Sequence, residues 1–195
     1  MDADVPESRA IFRIALVAEG GLGLVAVALG WFLARPPWQQ IAWNAPAVGH
    51  GLLAATPLVV LLLVVTRYPI GPFKQLQDFV RQLLLPLFAK SAVWELLLIS
   101  ILAGFGEELL FRGVLQTGIE QFWGSPWLAL AIASVVFGLA HPMSVTYAVL
   151  AGAIGAYLGW LLMASDNLLV PIVTHAAYDF VALVYLTRRE AAPAG

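Results

Sequence analysis

The chain has 195 residues, of which 61% are hydrophobic and only 11% are charged. A soluble domain typically has about 25% charged residues, and a soluble fold of this length could not bury so much apolar surface. Composition therefore excludes an ordinary soluble protein and predicts one lipid-facing domain. The net charge of −2 argues against a nucleic-acid partner. The absence of cysteine removes disulfides, thiolate metal sites and a cysteine nucleophile.

Two apolar runs near the beginning of the chain are each long enough to cross a bilayer, which takes about 20 apolar residues. The first, 14–34, is too long for the core of a signal peptide, so we interpret it as a span. The second, 47–66, ends at Arg67, before Pro69. Residues 70–90 alternate polar and apolar side chains, a pattern typical of an amphipathic helix at the membrane surface. A tethering loop between spans fits this stretch equally well.

The second half of the chain predicts four more helices. A long apolar stretch at 91–118 is followed by a turn near Ser125 and a further apolar helix at 127–140. The next span, 145–164, contains glycines that allow helices to pack closely in lipid. Residues 165–167 form a polar turn that can cap a helix, and 168–186 is the last span.

The basic residues give this arrangement an orientation. With a cytoplasmic N-terminus, the opposite side holds only Arg35, whereas the cytoplasmic segments hold eight basic residues: Arg9, Arg13, Arg67, Lys74, Arg81, Lys90, Arg188 and Arg189. This asymmetry follows the positive-inside rule. We therefore expect an all-α, polytopic bundle of about six transmembrane helices with both termini cytoplasmic, in the inner (plasma) membrane, plus one interfacial amphipathic helix.

Three regions organise the predicted chain. Residues 1–90 form an N-terminal transmembrane pair with the interfacial helix, 91–187 form the membrane core, and 188–195 form a cytoplasmic tail whose end, 191–195, is predicted to be disordered. Glu19 interrupts the first span. It either lines a cavity or lies near the membrane interface, and we favour the interface.

Charged residues inside the 91–118 stretch predict a functional site, because an ionisable group at the bilayer centre costs at least about 2.5 kcal/mol. Glu108 and Arg112 are four residues apart and can pair along one helix face. Glu107 lies about 100° around the helix from Glu108 and has no such partner. One interpretation is a packing network of all three side chains. The other is that Glu108 and Arg112 form a brace and leave Glu107 free for chemistry.

Two histidines and an aspartate join these groups from other helices. His141 follows Phe137 by four residues at the end of an apolar helix, and His175 lies in the last span with Asp179 four residues later. His175 and Asp179 therefore share a helix face. His50, which has no such neighbours, is interpreted as interfacial.

These side chains permit hydrolysis by two routes. A buried carboxylate can act as a general base toward water, and Glu107, His141 and His175 together are also a plausible zinc ligand set with an open position for water. In either route, His or Asp could stabilise the oxyanion of a tetrahedral intermediate. Composition and spacing leave the choice between zinc and metal-free catalysis open.

Three motifs carry a resemblance to a known family. Glu107 to Arg112 reads EExxxR, Phe137 to His141 reads FxxxH, and His175 to Asp179 reads HxxxN/D. In this order on separate apolar helices, they resemble the CPBP family of intramembrane proteases, which includes type II CAAX prenyl endopeptidases and bacteriocin-processing and self-immunity proteins. The resemblance covers about 91–186.

The resemblance implies roles for the motif residues. Glu107 matches the glutamate that activates water, Glu108 and Arg112 match its supporting pair, and His141 and His175 match the motif histidines. Asp179 stands where many members have asparagine, so it must be protonated, orient His175 or bind metal. The implied activity is endoproteolysis of a peptide or protein that enters from the membrane or the cytoplasmic side, with membrane lipid as the other partner.

Other functional classes fit less well. A non-catalytic scaffold or a bacteriocin self-immunity protein on the same fold is the main alternative, because fold does not imply function. An ion-coupled transporter usually has internal repeats, which this sequence lacks. The order of the acidic motifs argues against an aspartyl intramembrane protease, and the HExxH sequence of common zinc proteases is absent.

Overall fold

The structure is a computed structural model that describes residues 4–190, apart from the side chains of 4–9, Ile11, Leu83, Leu84 and Glu190. Nine α-helices follow one another in this part of the chain, and it contains no strand. They are α1 (Asp4–Phe32), α2 (Ala45–Arg67), α3 (Pro72–Phe79), α4 (Leu85–Phe88), α5 (Val93–Glu108), α6 (Thr117–Trp123), α7 (Pro126–Leu139), α8 (Val145–Ser165) and α9 (Leu169–Glu190). Short 3-10 and π-helical segments complete it: Pro37–Gln40, Val80–Leu84 and Leu109–Gln116.

Several of these helices are long and apolar enough to cross a membrane. Within the described residues, α2, α8 and most of α1 and α9 qualify, and the bent pair Pro72–Phe88 and Val93–Trp123 counts as a fifth span if taken as one. The apolar helix α7 is shorter, at about 21 Å by the helical rise. Large apolar side chains of these helices are exposed, for example Leu24 at 73% and Leu53 at 71%. The protein is therefore a multi-pass membrane protein, as the composition predicts.

The all-α prediction is confirmed, and the six predicted spans correspond to α1, α2, the run Val93–Trp123, α7, α8 and α9. The stretch 70–90 is helical over most of its length, as α3, the π segment Val80–Leu84 and α4. The last helix continues past residue 186 to Glu190, with Arg188 and Arg189 in its final turn. The predicted disorder of 191–195 falls outside the described residues, as do the first three residues of the chain.

Hydrogen bonds between loops define one end of the bundle, here called the Asn167 end. Asn167 Nδ2 donates to Ala42 O, and Asn167 Oδ1 accepts from the amides of Ala42 and Leu169, each at 3.0 Å. The amide of Leu168 donates to Gln40 O. The polar turn predicted at 165–167 therefore does more than cap a helix, because it binds the α1–α2 loop to the beginning of α9.

Polar contacts at the opposite end, here called the Ser91 end, join α2, α3 and α9. Arg188 Nη2 donates to Ser91 O at 3.1 Å, and Gln77 Nε2 donates to Thr66 O at 3.3 Å. The hydroxyls of Thr66 and Tyr185 lie 3.5 Å apart. The two ends thus separate the α1–α2 and α8–α9 loops from the α2–α5 connection, as the predicted topology requires.

Glycines on two sides of α5 let neighbouring helices approach at backbone distance. A Cβ atom on Gly104 would lie 2.7 Å from the amide nitrogen of Ala176 in α9, and one on Gly106 would lie 2.6 Å from the carbonyl oxygen of Glu19 in α1. These are distances that real Cβ atoms essentially never have. The last turns of α5 are therefore packed against α1 and α9 directly before Glu107.

We expect Gly104→Ala to destabilise the protein, because the added methyl group must push α9 away from α5. Overpacking of this kind typically costs about 1–3 kcal/mol. Gly49→Ala in α2 is the matched control, since its Cβ would meet nothing within 4 Å and alanine favours helix over glycine by about 1 kcal/mol. Thermal unfolding of the detergent-purified chain measures both. Equal melting temperatures for the two variants would contradict the predicted contact.

Candidate functional site

The EExxxR residues lie where α5 changes into a π-helical segment. Glu107 and Glu108 are the last two residues of α5, and Leu109–Gln116 continues the helix with π geometry. π-Helical turns occur frequently at functional sites. Both glutamates are buried, with 8% of Glu107 and none of Glu108 exposed. Two carboxylates are therefore enclosed at the centre of the bundle.

Arg112 contacts its own helix, α8 and the Phe137 ring of α7. Its Nη1 donates to Glu108 Oε1 at 2.7 Å, the i, i+4 pair expected from the spacing. Its Nη2 donates to the carbonyl oxygen of Gly155 in α8 at 2.9 Å, and its guanidinium carbon lies 4.4 Å from the centre of the Phe137 ring. One turn later, Gln116 Nε2 donates to Gly159 O. The glycines predicted to allow close packing thus also leave room for polar side chains.

His175 lies between two carboxylates. Its Nδ1 is 2.8 Å from Glu108 Oε1, and its Nε2 is 3.3 Å from Asp179 Oδ2. A neutral imidazole carries only one N–H. If both contacts are hydrogen bonds, either the imidazole carries two protons or one of the acids is protonated. Asp179 thus has the contact expected of a residue that orients His175.

Glu107 and His141 face each other across a gap. His141 Nε2 lies 3.9 Å from Glu107 Oε2, which is too far for a direct hydrogen bond. His141 Nδ1 is 2.7 Å from Phe137 O. Because a carbonyl only accepts, this nitrogen carries the proton, and in the neutral ring Nε2 is an acceptor. Glu107 Oε2 is buried and has no hydrogen-bond partner, so the gap holds two groups that a water molecule can bridge.

Phe137, the first residue of the FxxxH motif, packs against several groups of the site. Its ring lies 4.6 Å from that of His141, 6.1 Å from that of His175 and 4.9 Å from that of Phe111. Together with the contact to Arg112, this places one apolar ring between the groups of the site. It limits the water that surrounds them and so strengthens their electrostatic interactions.

The predicted zinc ligands are not arranged as one set. His175 turns both of its ring nitrogens toward Glu108 and Asp179, so neither nitrogen faces the gap between Glu107 and His141. A catalytic zinc site needs three protein ligands at about 2.0–2.2 Å from one point. Within the described part of the chain, no three His, Asp or Glu side chains form such a group. The residues as placed therefore do not fit a zinc ion.

Two residues lie at the site that the motifs do not include. Glu19 of α1, favoured above as interfacial, interacts electrostatically with Glu107, Asp179 and both histidines. The ring of Tyr147 in α8 lies 5.8 Å from that of His141. An acidic residue within an apolar run was the available signal for Glu19. Tyr147 carries no such signal, because a tyrosine in a span is common near interfaces.

The part of the site near the short α7–α8 turn is exposed, because α8 covers less of the length of α5 there. About 22 Å of α5 lies between Glu108 and the Ser91 end, whereas α8 extends only about 15 Å in that direction from Gly155, by the helical rise. The side chains nearest the turn are the exposed ones, His141 at 22% and Asp179 at 30%. A separate cavity of about 310 Å³ lies near Gln116 and Asp166 and includes none of the predicted site residues.

Comparisons with known proteins find matches to part of the chain. The uncharacterized protein YpbD of Bacillus subtilis (strain 168) is 32% identical over 98 residues, which are 49% of this chain. The aligned segment spans about half of that relative, 47% of its length. No solved structure matches the chain.

A family model matches a defined part of the chain. The model of the family described as type II CAAX prenyl endopeptidase Rce1-like matches residues 89–181, which include all three motifs. The resemblance stated from those motifs is confirmed. Over residues 89–181, just under half of its length, the chain is similar to the Rce1-like family of type II CAAX prenyl endopeptidases.

Proposed function

We propose that this protein is an intramembrane endopeptidase in which Glu107 activates water. The observation that carries the proposal is the gap of 3.9 Å between Glu107 Oε2 and His141 Nε2, next to a buried carboxylate oxygen without a partner. A water molecule held there meets a general base on one side and a hydrogen-bonding nitrogen on the other. The match to the Rce1-like family supports peptide-bond hydrolysis as the reaction.

In the proposed reaction, Glu107 carries the proton from the water to the leaving group. Glu107 takes a proton from the water, and the resulting hydroxide forms a bond to the carbonyl carbon of the scissile peptide. The tetrahedral intermediate collapses, the C–N bond breaks, and the proton on Glu107 passes to the leaving nitrogen. His141 orients the water through Nε2, while Arg112 and His175 keep Glu108 engaged and away from the reaction.

The substrate is proposed to reach the site from the side of the α7–α8 turn. The exposed side chains His141 and Asp179 lie there, and the helices around them present apolar surface to lipid. A membrane-anchored peptide, for which the family's CAAX prenyl peptides are a model, could enter without crossing the bundle. This route would expose the scissile bond to Glu107 at the end of α5.

We also propose that the protein lies in the plasma membrane, with both termini and the Ser91 end facing the cytoplasm. The support is the basic residues near that end, including Arg67, Lys74 and Arg188, against Arg35 near the Asn167 end.

The lack of native cysteine allows a direct test of this orientation. In intact cells, an impermeant maleimide should label Gln39→Cys, in the α1–α2 loop, and should not label Gln75→Cys in α3 until the cells are opened. The reverse labelling pattern would invert the proposed topology.

Catalysis is proposed to need no metal, because the arrangement of His175 does not fit a zinc ligand set. We expect cleavage by the purified protein in lipid to persist after prolonged treatment with 1,10-phenanthroline, with metal content below one equivalent by mass spectrometry. Loss of activity that zinc restores, and that an inactive analogue of the chelator does not cause, would contradict this mechanism.

Glu107→Gln should abolish cleavage of a farnesylated CAAX-type test peptide, since an amide cannot take a proton from water. Loss of one general base costs about 10²–10⁴ in rate. Folding should be retained, because the amide has nearly the same shape, and thermal unfolding checks this. Glu120→Gln, at the cavity near Asp166, is the matched control and should cleave normally. Full activity of Glu107→Gln would refute the assignment, and no cleavage by the unaltered protein would favour a non-catalytic role.

Arg112→Met should damage stability far more than Glu107→Gln does. It leaves the buried Glu108 without its guanidinium partner, and breaking one side of a buried ion pair typically costs about 3–5 kcal/mol. The amide in Glu107→Gln removes no existing hydrogen bond of Glu107 Oε2, so its cost should stay below about 1 kcal/mol. Thermal unfolding in one detergent compares the two variants, and small, equal effects would rule out the brace.

A further inference from the structure

Glu19 reaches the proposed site because α1 and α5 are in backbone contact. The ideal Cβ position of Gly106 lies 2.6 Å from Glu19 O and 3.1 Å from the amide nitrogen of Gly23. Gly106 directly precedes Glu107 in the chain, so this contact places Glu19 beside the end of α5. The acidic side chain of the first span is thereby held next to the proposed catalytic base.

The side chain of Glu19 has one carboxylate oxygen that the protein leaves unsatisfied. Its Oε2 atom is buried and makes no hydrogen bond. It interacts electrostatically with Glu107, Asp179, His175 and His141. A buried carboxylate oxygen without a donor is unfavourable. A group that donates a hydrogen bond or carries a positive charge would therefore stabilise the Glu19 carboxylate.

The charges of the site do not balance. Four acids meet here, Glu19, Glu107, Glu108 and Asp179, against the single guanidinium of Arg112 and two imidazoles. Even with both histidines charged, four ionised carboxylates leave an excess of one negative charge. Arg112 is already committed to Glu108 and Gly155. An uncompensated charge is costly inside a membrane, so a positive group or protons must balance the excess.

A second observation shows where such a group would bind. Glu107 is buried, with 11% of its side chain exposed, and its Oε2 atom, which faces His141 across the 3.9 Å gap, also has no hydrogen-bond partner. The Glu19 and Glu107 carboxylates, on two helices that touch at Gly106, thus each have one oxygen without a hydrogen-bond donor. The Glu19 carboxylate suits an ammonium or guanidinium group, which donates several hydrogen bonds at once, and Glu107 Oε2 remains available to water.

We propose that Glu19 binds a positively charged side chain of the substrate within one residue of the cleaved bond, an inference that rests on the proposed endopeptidase function. The substrate is then an apolar, membrane-anchored peptide with Lys or Arg beside the scissile bond. Glu19 is a specificity-determining residue in this reaction, and Glu107 remains the base. Binding of the substrate's cation supplies the positive charge that the site lacks.

The test compares lysine with norleucine, which has the same apolar stem without the ammonium group. Farnesylated, fluorescently labelled peptides carry one or the other directly before or directly after the bond, which is replaced by an uncleavable ketomethylene group. Binding is measured by fluorescence anisotropy on the full-length protein in nanodiscs. The proteins are the unaltered chain, Glu19→Gln and the control Glu120→Gln. Cleavable versions of the same peptides report kcat/KM in parallel.

We expect the unaltered protein and Glu120→Gln to bind the lysine peptide at least about tenfold more tightly than the norleucine peptide, as buried charge pairs do. In Glu19→Gln this ratio should fall to near one while norleucine binding is unchanged. A Glu19→Gln protein that keeps the lysine preference, or an unaltered protein without one, overturns the inference. A Glu19-dependent preference in binding without any cleavage supports the cation site and refutes the protease function instead.

Discussion

Only 1% of Arg112 is exposed. Its guanidinium contacts parts of the chain that are far apart in sequence. It binds Glu108 on its own helix and the Gly155 carbonyl on α8, and it lies over the Phe137 ring of α7. Glu108 Oε1 also lies 2.8 Å from His175 Nδ1 on α9. Removing a buried charge in such a network leaves the others uncompensated. The positions of α7, α8 and α9 around the end of α5 therefore depend on this one side chain.

The same network gives the two adjacent acids different surroundings. Glu108 Oε1 is fully engaged with Arg112 and His175, whereas Glu107 projects to another side of the helix toward His141. Because the brace neutralises Glu108 with protein groups, the proposed base, Glu107, is left without a competing protein cation. A base without a fixed partner can take a proton from water and give it up again, which catalysis requires.

Backbone proximity explains how a small protein gathers ionisable groups from so many helices. Hydrophobic burial supplies no driving force between helices in lipid, so close van der Waals packing and hydrogen bonds hold them together. Gly104 brings α9 against α5, Gly106 brings α1 against it, and Gly155 makes room for Arg112. Gly104 and Gly106 lie within one turn of Glu107, and Gly155 lies against the guanidinium of Arg112. The packing that stabilises the bundle is thus the packing that assembles the site.

The amino-acid sequence by itself determined the membrane class and the helical architecture, and it placed Glu108 and Arg112 on one helix face. Apolar runs of about 20 residues can only be spans, and the spacing of Glu108 and Arg112 fixes their pairing, because residues four apart share a helix face. His175 and Asp179 follow the same rule. These features were predictable because they depend on local geometry along a single helix.

Only the tertiary structure decided what lies between helices. The sequence permitted Glu107, His141 and His175 as one zinc set, but the rotation of α9 turns both nitrogens of His175 toward Glu108 and Asp179. The sequence also left open whether Glu19 lines a cavity or lies near the membrane interface, whereas the contact at Gly106 places it beside Glu107. Helix periodicity gives the face on which a side chain lies, but not the neighbour that this face meets. That neighbour is set by the close approach of glycines on three helices, which no single helix encodes.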